Sequence, residues 1–372
     1  MHQHLACGLL ALFIGAASAA TQAQPAPRLR TEVVARGLQN PWGIAFIDGG
    51  RLLVTERPGR LRVVQPDGRV SEPVAGVPAV DAVGQGGLLD VAADRDFARN
   101  RQVYLCYSEP GPGGNSTALA RARLSADAAK LEDVKVIFSQ QPKVSSRLHF
   151  GCRIAEAPDG TLFLTLGDRY HRMQDAQTLD NHHGKVVRVR KDGTVPPDNP
   201  FVTRAGAKPE IWSLGHRNVQ GAAIGPDGRL WTGEHGPQGG DEINRPEAGR
   251  NHGWPVITYG ENYGGGAIGD GITKKAGMEQ PLHQWTPSIA PSGMTFVTTD
   301  RYGPGFKGSL LVASLKFRYL SRLVLDGTRV VREDPLLPAI GERLRDVAEA
   351  PDGTLYLLTD DRDGQLLRLL PL

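Results

Sequence analysis

His149, in LHFGCR, and Asp168, which closes LGD after the next apolar run, are residue types that one reaction could use together. A histidine poised near neutrality suits a general base, and a carboxylate can orient it. Taken alone, the same histidine also reads as a structural residue satisfied by its neighbours. GHRNVQG (215–221) sets Arg217 and Asn218 just ahead of an apolar run, where the plain reading is a turn with an ion pair. GEHGPQGGDEIN (233–244) packs Glu234, Asp241 and Glu242 among glycines, which leave backbone carbonyls accessible. Such a loop suits a hard cation with oxygen ligands, and an acidic surface loop is the alternative. Lys316, Arg343 and Arg345 fall at expected strand ends, and the two arginines, two positions apart, face the same way on a strand. Converging cations suit a polycarboxylate or phosphate ligand, whereas scattered ones are ordinary surface charge.

Other patterns fail their context. Residues 264–269 satisfy G-x-G-x-x-G but follow a Tyr-Gly loop and open no helix, so a dinucleotide site is not expected. Asp361-Arg362-Asp363-Gly364 lacks the length and terminal Glu of a calcium loop and reads as a hairpin turn. His182-His183 cannot place both side chains on one face of a strand and reads as a solvated loop. The chain has no G-x-S-x-G elbow, Walker loop or H-E-x-x-H.

The elements that must position these residues are short strands. An apolar segment, a Pro-Asp-Gly turn and a second apolar segment recur at 152–168, 222–236 and 346–361, and 43–70 carries the same turn chemistry twice. Asp-Gly between alternating apolar runs signals a hairpin, because glycine supplies the positive φ that the turn needs. Hairpins are also expected at 185–195 and 320–331, and LSADAAKLED (124–133) is the one stretch with a helical pattern. Recurrent strand–turn–strand units over one undivided chain favour an all-β, six-bladed β-propeller of four-stranded antiparallel blades. Blades are expected to start near 41, 86, 149, 213, 290 and 343, with one distorted by a long excursion. LRTEVVARGL (29–38) reads as a lone N-terminal strand that closes the ring. The loops 168–183 and 236–266 are too polar and glycine-rich for core strands, and they are where function is expected.

Composition supports this outline. Glycine (46) and proline (27) make up close to a fifth of the 372 residues, which implies many turns rather than periodless disorder. The formal charge of +3 gives no reason to expect nucleic acid as a partner. Residues 5–20 form an apolar run ending in small residues, with no Asp, Glu, Lys or Arg before Arg28 and an A-x-A site at Ala17-Ser18-Ala19. This reads as a secretory signal (1–23, cleavage approximate) ahead of a single catalytic propeller (24–372), exported and soluble, with no membrane span. Export leaves Cys106 and Cys152, which either pair or remain two independent buried thiols.

GQGGLLD (84–90), HFGCR (149–153), LGD (166–168), GHRNVQG (215–221), EHGPQGGDEIN (234–244), NHGWP (251–255), ASLK (313–316) and RLRDV (343–347) occur in an order that resembles the glucose/sorbosone dehydrogenase family. The nearest branch is similar to periplasmic aldose sugar dehydrogenases that use pyrroloquinoline quinone (PQQ). The resemblance runs from about residue 38 to the C-terminus. It implies a six-bladed propeller with PQQ over its axis and Ca²⁺ bound beside it. It implies that His149 takes the proton from the anomeric hydroxyl of an aldose, with Asp168 orienting the imidazole and Arg217 near the quinone oxygen where charge develops. Gln85, Asn218, Tyr263, Ser314, Lys316, Arg343 and Arg345 match further cofactor contacts. Gly236 and Pro237 match backbone ligands of that calcium, and Glu242 and His252 match a second calcium site. A sugar substrate, a quinone or cytochrome as electron acceptor, and a monomer or homodimer follow from the same resemblance.

Three positions depart from the family pattern. Cys152 stands where glycine is usual, and either narrows the pocket or brings a thiol near the quinone. His252 replaces a tyrosine. His182-His183 replaces a more apolar stretch bordering the substrate opening. Two other functions compete. A metal-dependent lactonase would need carboxylate and Asn side chains converging on an open metal, and a non-enzymatic binding propeller would have no use for cations converging beside His149.

Overall fold

A computed structural model describes residues 28–372; the signal-peptide reading falls on residues outside that range. Twenty-three strands account for almost all regular structure. β1 (Leu29–Leu38) comes first. Blade one is β2 (Pro41–Phe46), β3 (Leu52–Glu56) and β4 (Arg60–Val64). Blade two is β5 (Leu88–Ala93), β6 (Gln102–Gly111), β7 (Gly114–Leu124) and β8 (Leu131–Ser139). Blade three is β9 (Gly151–Glu156), β10 (Leu162–Leu166), β11 (Lys185–Val189) and β12 (Ile211–Leu214). Blade four is β13 (Val219–Ile224), β14 (Leu230–Glu234), β15 (Asp241–Asn244) and β16 (His283–Trp285). Blade five is β17 (Pro291–Phe296), β18 (Leu310–Ser314), β19 (Leu320–Asp326) and β20 (Arg329–Leu336). Blade six is β21 (Leu344–Glu349), β22 (Leu355–Thr359) and β23 (Gly364–Pro371).

Each blade is an antiparallel meander, and β1 pairs with β23 as the outer strand of blade six. The N-terminal strand thus closes the ring, as expected. Blade one has three strands, extended by an isolated bridge from Val64 to Val70. The innermost strands β2, β5, β9, β13, β17 and β21 contact one another in a cycle around the axis. Apolar side chains on both faces of each sheet fill the gaps between neighbouring blades. Leu53, Leu61, Leu88 and Leu105 pack between blades one and two, and Leu89, Cys106, Cys152 and Leu164 between two and three. Phe163 and Leu230 join three to four, Trp231 and Met294 join four to five, Leu311 and Leu357 join five to six, and Leu52 and Leu358 join six to one.

The Pro-Asp-Gly turns close the inner hairpins, with Gly160, Gly228 and Gly353 at φ of 82°, 75° and 79°. Three expectations are corrected. Residues 124–133 form no helix: Leu124 ends β7, a turn follows, and Leu131 starts β8; the short helix lies at Phe97–Asn100. The segment 185–195 is not a hairpin, because β11 pairs with β12 across a loop instead. The fourth blade starts at 219 rather than near 213, since 211–214 is the outer strand of blade three.

The inner strands align position by position. Their third residues are Gly43, Asp90, Arg153, Gly221, Gly293 and Asp346. Arg153 lies between the two carboxylates, 3.1 Å from Asp90 and 3.2 Å from Asp346, and its guanidinium covers the Trp42 ring at 4.0 Å. A Cβ at Gly293 would come 1.7 Å from the Asp346 carboxylate, so glycine makes the room that this ion cluster occupies. The cluster lines a cavity of about 530 Å³ at the mouth where the inner strands end. The expected site residues gather where those strands begin.

Candidate active site

Every inner strand slips by one residue against its partner near its start, for example between Leu166–Gly151 and Leu164–Ile154 in blade three. Such bulges bend a strand and re-aim its side chains. The residues just ahead of them therefore turn into the mouth of the channel, where two cavities lie.

The outer cavity, about 390 Å³, is lined by His149, Asp168, Tyr170, Arg217, Pro237, Trp254 and Tyr263, among others. His149 and Asp168 are both buried. The imidazole Nδ1 lies 2.6 Å from Asp168 Oδ1, and the carboxylate can only accept, so Nδ1 carries the proton and Nε2 keeps a free lone pair. Asp168 also accepts from Trp254 Nε1 at 2.8 Å and from the Tyr170 amide at 2.7 Å. Burial lowers the His149 pKa below its ordinary 6.5, and the Asp168 pairing offsets only part of this. Burial would raise Asp168, but the His149 hydrogen bond and the charge of Arg217 outweigh it and hold the carboxylate below its usual range. The pair is thus a neutral imidazole on an ionised carboxylate at neutral pH.

Backbone shape brings them together. His149 is left-handed (φ 52°), and its carbonyl lies so close to Gly167 that a Cβ there would sit 2.0 Å from it. Arg217 is anchored beside them. Its amide donates to Glu234 Oε2 at 2.8 Å, and its Nη1 donates to the carbonyls of Gly236 (2.7 Å) and His235 (3.2 Å). Tyr263 stands on the rim, 64% exposed.

The inner cavity, about 210 Å³, is lined by Trp42, Arg57, Gln85, Asn218, Gln220, His235, Arg343, Arg345 and Asp360 with several apolar neighbours. Arg343 and Arg345 do face the same way: both donate to Asp360 Oδ2, at 2.9 and 3.0 Å. Three guanidinium groups against one carboxylate leave the cavity cationic, and Arg345 Nε is buried without a partner. Gln85 Oε1 accepts from the His149 amide at 2.8 Å, which ties the two cavities together. His235, half-buried and donating to the Pro291 carbonyl, is pushed down to about 3 by desolvation and stays neutral.

A third void, about 10 Å³, adjoins Gly236, Glu234, Glu242 and His252. Burial, then the charge of Glu234, pushes Glu242 up to about 8. His252 stacks on His216 with ring centroids 4.7 Å apart, and neither of its nitrogens has a hydrogen-bond partner. A half-buried carboxylate and an unpartnered imidazole on one void are a donor set that a cation fits. The other acids of this loop are internal. Glu234 accepts from His216 Nδ1, Arg217 and Asn244, and Asp241 accepts from Gly236, Ser288 and Ala290. They shape the 233–244 loop rather than display ligands.

Not every expected residue reaches a cavity. The Ser314 hydroxyl donates to the Ile289 carbonyl and accepts from the Phe317 amide, so it closes a turn. Lys316 is exposed and lies over the Phe317 ring at 5.1 Å. His182 and His183 are buried, not solvated: Glu210 and Gln141 hold the first, Asp175 and the Pro142 carbonyl the second. Cys106 and Cys152 form a disulfide with Cα atoms 5.6 Å apart. Cys152 therefore neither narrows the pocket nor offers a free thiol. Sequence reasoning missed Trp254, His235, Gln220, Arg57, Trp42 and Asp360. NHGWP and RLRDV flagged the neighbourhoods of Trp254 and the arginines, but nothing local marks a tryptophan as the partner of an aspartate 86 positions earlier.

Residues 38–368 match the family described as Glucose / Sorbosone dehydrogenase. The chain is 44% identical over 358 residues to aldose sugar dehydrogenase YliI of Escherichia coli K12, covering 95% of this chain and 96% of that one. The crystal structure of the soluble aldose sugar dehydrogenase of Escherichia coli in its apo form is similar with a TM-score of 0.88 at 43% identity, over 92% of this chain and all of the other. The PQQ-bound form of the aldose sugar dehydrogenase from Streptomyces coelicolor is similar with a TM-score of 0.76 at 29% identity, over 93% of this chain and all of the other.

Proposed function

The chain belongs to the glucose/sorbosone dehydrogenase family, and on that premise we propose that it oxidises aldose sugars at C1 to lactones with PQQ and Ca²⁺ as cofactors. The observation that carries this reading is the His149–Asp168 pair at 2.6 Å, opening beside a cationic cavity at the same end of the propeller. His149 Nε2, with its free lone pair, takes the proton of the anomeric hydroxyl as C1 is oxidised. Asp168 fixes the tautomer and ring orientation and stabilises the imidazolium that forms. Trp254 and the Tyr170 amide hold that carboxylate in turn. Arg217 places a fixed positive charge beside the reacting atoms.

The donor set of the inner cavity fits an acidic quinone. PQQ carries three carboxylates, and Arg343, Arg345 and Arg57 supply guanidinium groups that can pair with them. Gln85 and Asn218 add amide contacts, and Tyr263 closes the rim. Gly236 and Pro237 would supply backbone oxygens for the calcium, and Glu242 with His252 would serve a second cation. When bound, the quinone supplies the acceptor for the hydride of C1 and the calcium a Lewis acid on its carbonyl. No helix among the described residues is long and apolar enough to cross a membrane. The apolar N-terminal run supports an exported, periplasmic enzyme whose electrons pass to a quinone or cytochrome.

Purified apoprotein given PQQ and Ca²⁺ is expected to reduce an artificial dye when glucose is added. Failure of the wild-type chain to bind the quinone would overturn the proposal.

A further inference from the structure

β9 begins unlike the other inner strands. His149, Gly151 and Cys152 have φ of 52°, 68° and 81°, so three of the four residues leading from the histidine into the strand are left-handed. The residues aligned with Cys152 are Trp42, Leu89, Gln220, Ser292 and Arg345, and none of them has a positive φ. Left-handed backbone is disfavoured for a residue with a Cβ and open to glycine. Cys152 occupies it while bonded to Cys106 of β6, in the neighbouring blade. The bridge is fully buried in the core between the two blades, beside Phe150. Thr117 of β7 donates to the Phe150 carbonyl, so the residue between the base and the bridge is tied to the same blade.

We propose that the Cys106–Cys152 disulfide is a positioning device for the base: it holds Cys152 in a left-handed conformation and so fixes the path of residues 149–151 and the hydrogen bond from His149 Nδ1 to Asp168. The proposal rests on His149 acting as the base. Without the bridge, Cys152 is free to relax toward extended backbone, and rotation there swings the residues upstream of it, the imidazole included. Glycine at this position has no reason to relax. A disulfide and a glycine are therefore interchangeable ways of holding one backbone shape.

The test compares two double variants that both lack the bridge, Cys106→Ala/Cys152→Ala and Cys106→Ala/Cys152→Gly. Steady-state kcat and KM for glucose are measured on the PQQ- and Ca²⁺-loaded full chain. The downfield proton NMR signal of His149 Nδ1, assigned by its loss in His149→Ala, is read on the same chains without cofactor. Misplacing a catalytic group by about 1 Å costs roughly a hundredfold, so the alanine pair is expected to lose about 10- to 100-fold in kcat with KM within about threefold. It also loses the Nδ1 signal. The glycine pair is expected to keep the signal and a kcat within about threefold of wild type, even though it melts at a lower temperature. Equal behaviour of the two pairs, whether both keep or both lose rate and signal, overturns the proposal. If the alanine pair does not fold, Cys106→Ala alone provides the same contrast, because it leaves a non-glycine residue unbridged at position 152. If instead His149→Ala retains the wild-type rate, it is the base assignment that fails, and the NMR contrast still decides the positioning claim.

Discussion

Three donors converge on the Asp168 carboxylate, from His149, Trp254 and the Tyr170 amide, at 2.6, 2.8 and 2.7 Å. On the proposed role of His149 as base, their balance sets the pH range in which it works. A protonated imidazole cannot accept a proton, so kcat/KM falls as the pH drops through the His149 pKa. Burial holds that pKa below the ordinary 6.5, and the acid limb is therefore expected below the range of a free imidazole. Trp254→Phe removes one donor from the carboxylate. Its charge then leans more on the imidazolium, which raises the His149 pKa and moves the acid limb to higher pH. A hydrogen bond to a charged group is worth about 1.5–3 kcal/mol, so a loss of roughly 10- to 100-fold in kcat/KM at neutral pH is expected to accompany that move. A pH–rate profile of Trp254→Phe against wild type checks both. His149 and Asp168 were legible in the sequence because base and carboxylate are rare enough in apolar surroundings to stand out. Trp254 was not, because an indole reads as core until its N–H is seen to have a partner.

The inner strands carry the next level of design. Their Pro-Asp-Gly turns were legible because a positive φ demands glycine at a fixed offset. Their bulges were not, since a one-residue slip leaves no local sequence mark and yet re-aims His149, Asn218 and Arg345 toward the axis. The polar loops 168–183 and 236–266 do border the outer cavity, through Asp168, Tyr170, Pro237 and Tyr263, but polarity misled at His182 and His183, which carboxylate and carbonyl partners hold in buried positions. The third position of each strand adds the Asp90–Arg153–Asp346 cluster. Burial pushes Asp90 up to about 6 even with Arg153 beside it, so the guanidinium is what keeps two buried carboxylates tolerable. Arg153→Met removes it and leaves both acids buried without their cation. Breaking a buried ion cluster in this way is expected to cost about 3–5 kcal/mol of stability at neutral pH, measured by urea denaturation. Losing the Arg153 charge pushes Asp90 higher still, so the same variant should regain part of that loss as the pH falls from 7 to 5 and the carboxyl is held neutral.

At the scale of the whole molecule, six interblade cores and one closing strand make a ring with two unlike mouths. Turn spacing and apolar alternation sufficed to place the blades and to assign β1 to closure. They could not show which chain ends of the strands would converge, or that Cys106 and Cys152 meet across a blade boundary. One mouth holds a cavity floored by the Arg153 cluster. The other gathers a buried neutral imidazole, its carboxylate and three guanidinium groups from blades one, three and six. The central claim is that this mouth carries out proton abstraction at His149 during sugar oxidation. The most direct measurement is the rate at which glucose reduces the quinone in a single turnover of the loaded enzyme, followed by stopped-flow absorbance, for wild type and His149→Ala. General-base catalysis contributes about 10²–10⁴-fold, so the variant is expected to bind the quinone as wild type does and to react slower by that factor. A His149→Ala enzyme that binds the quinone and reacts with glucose at the wild-type rate would contradict the account.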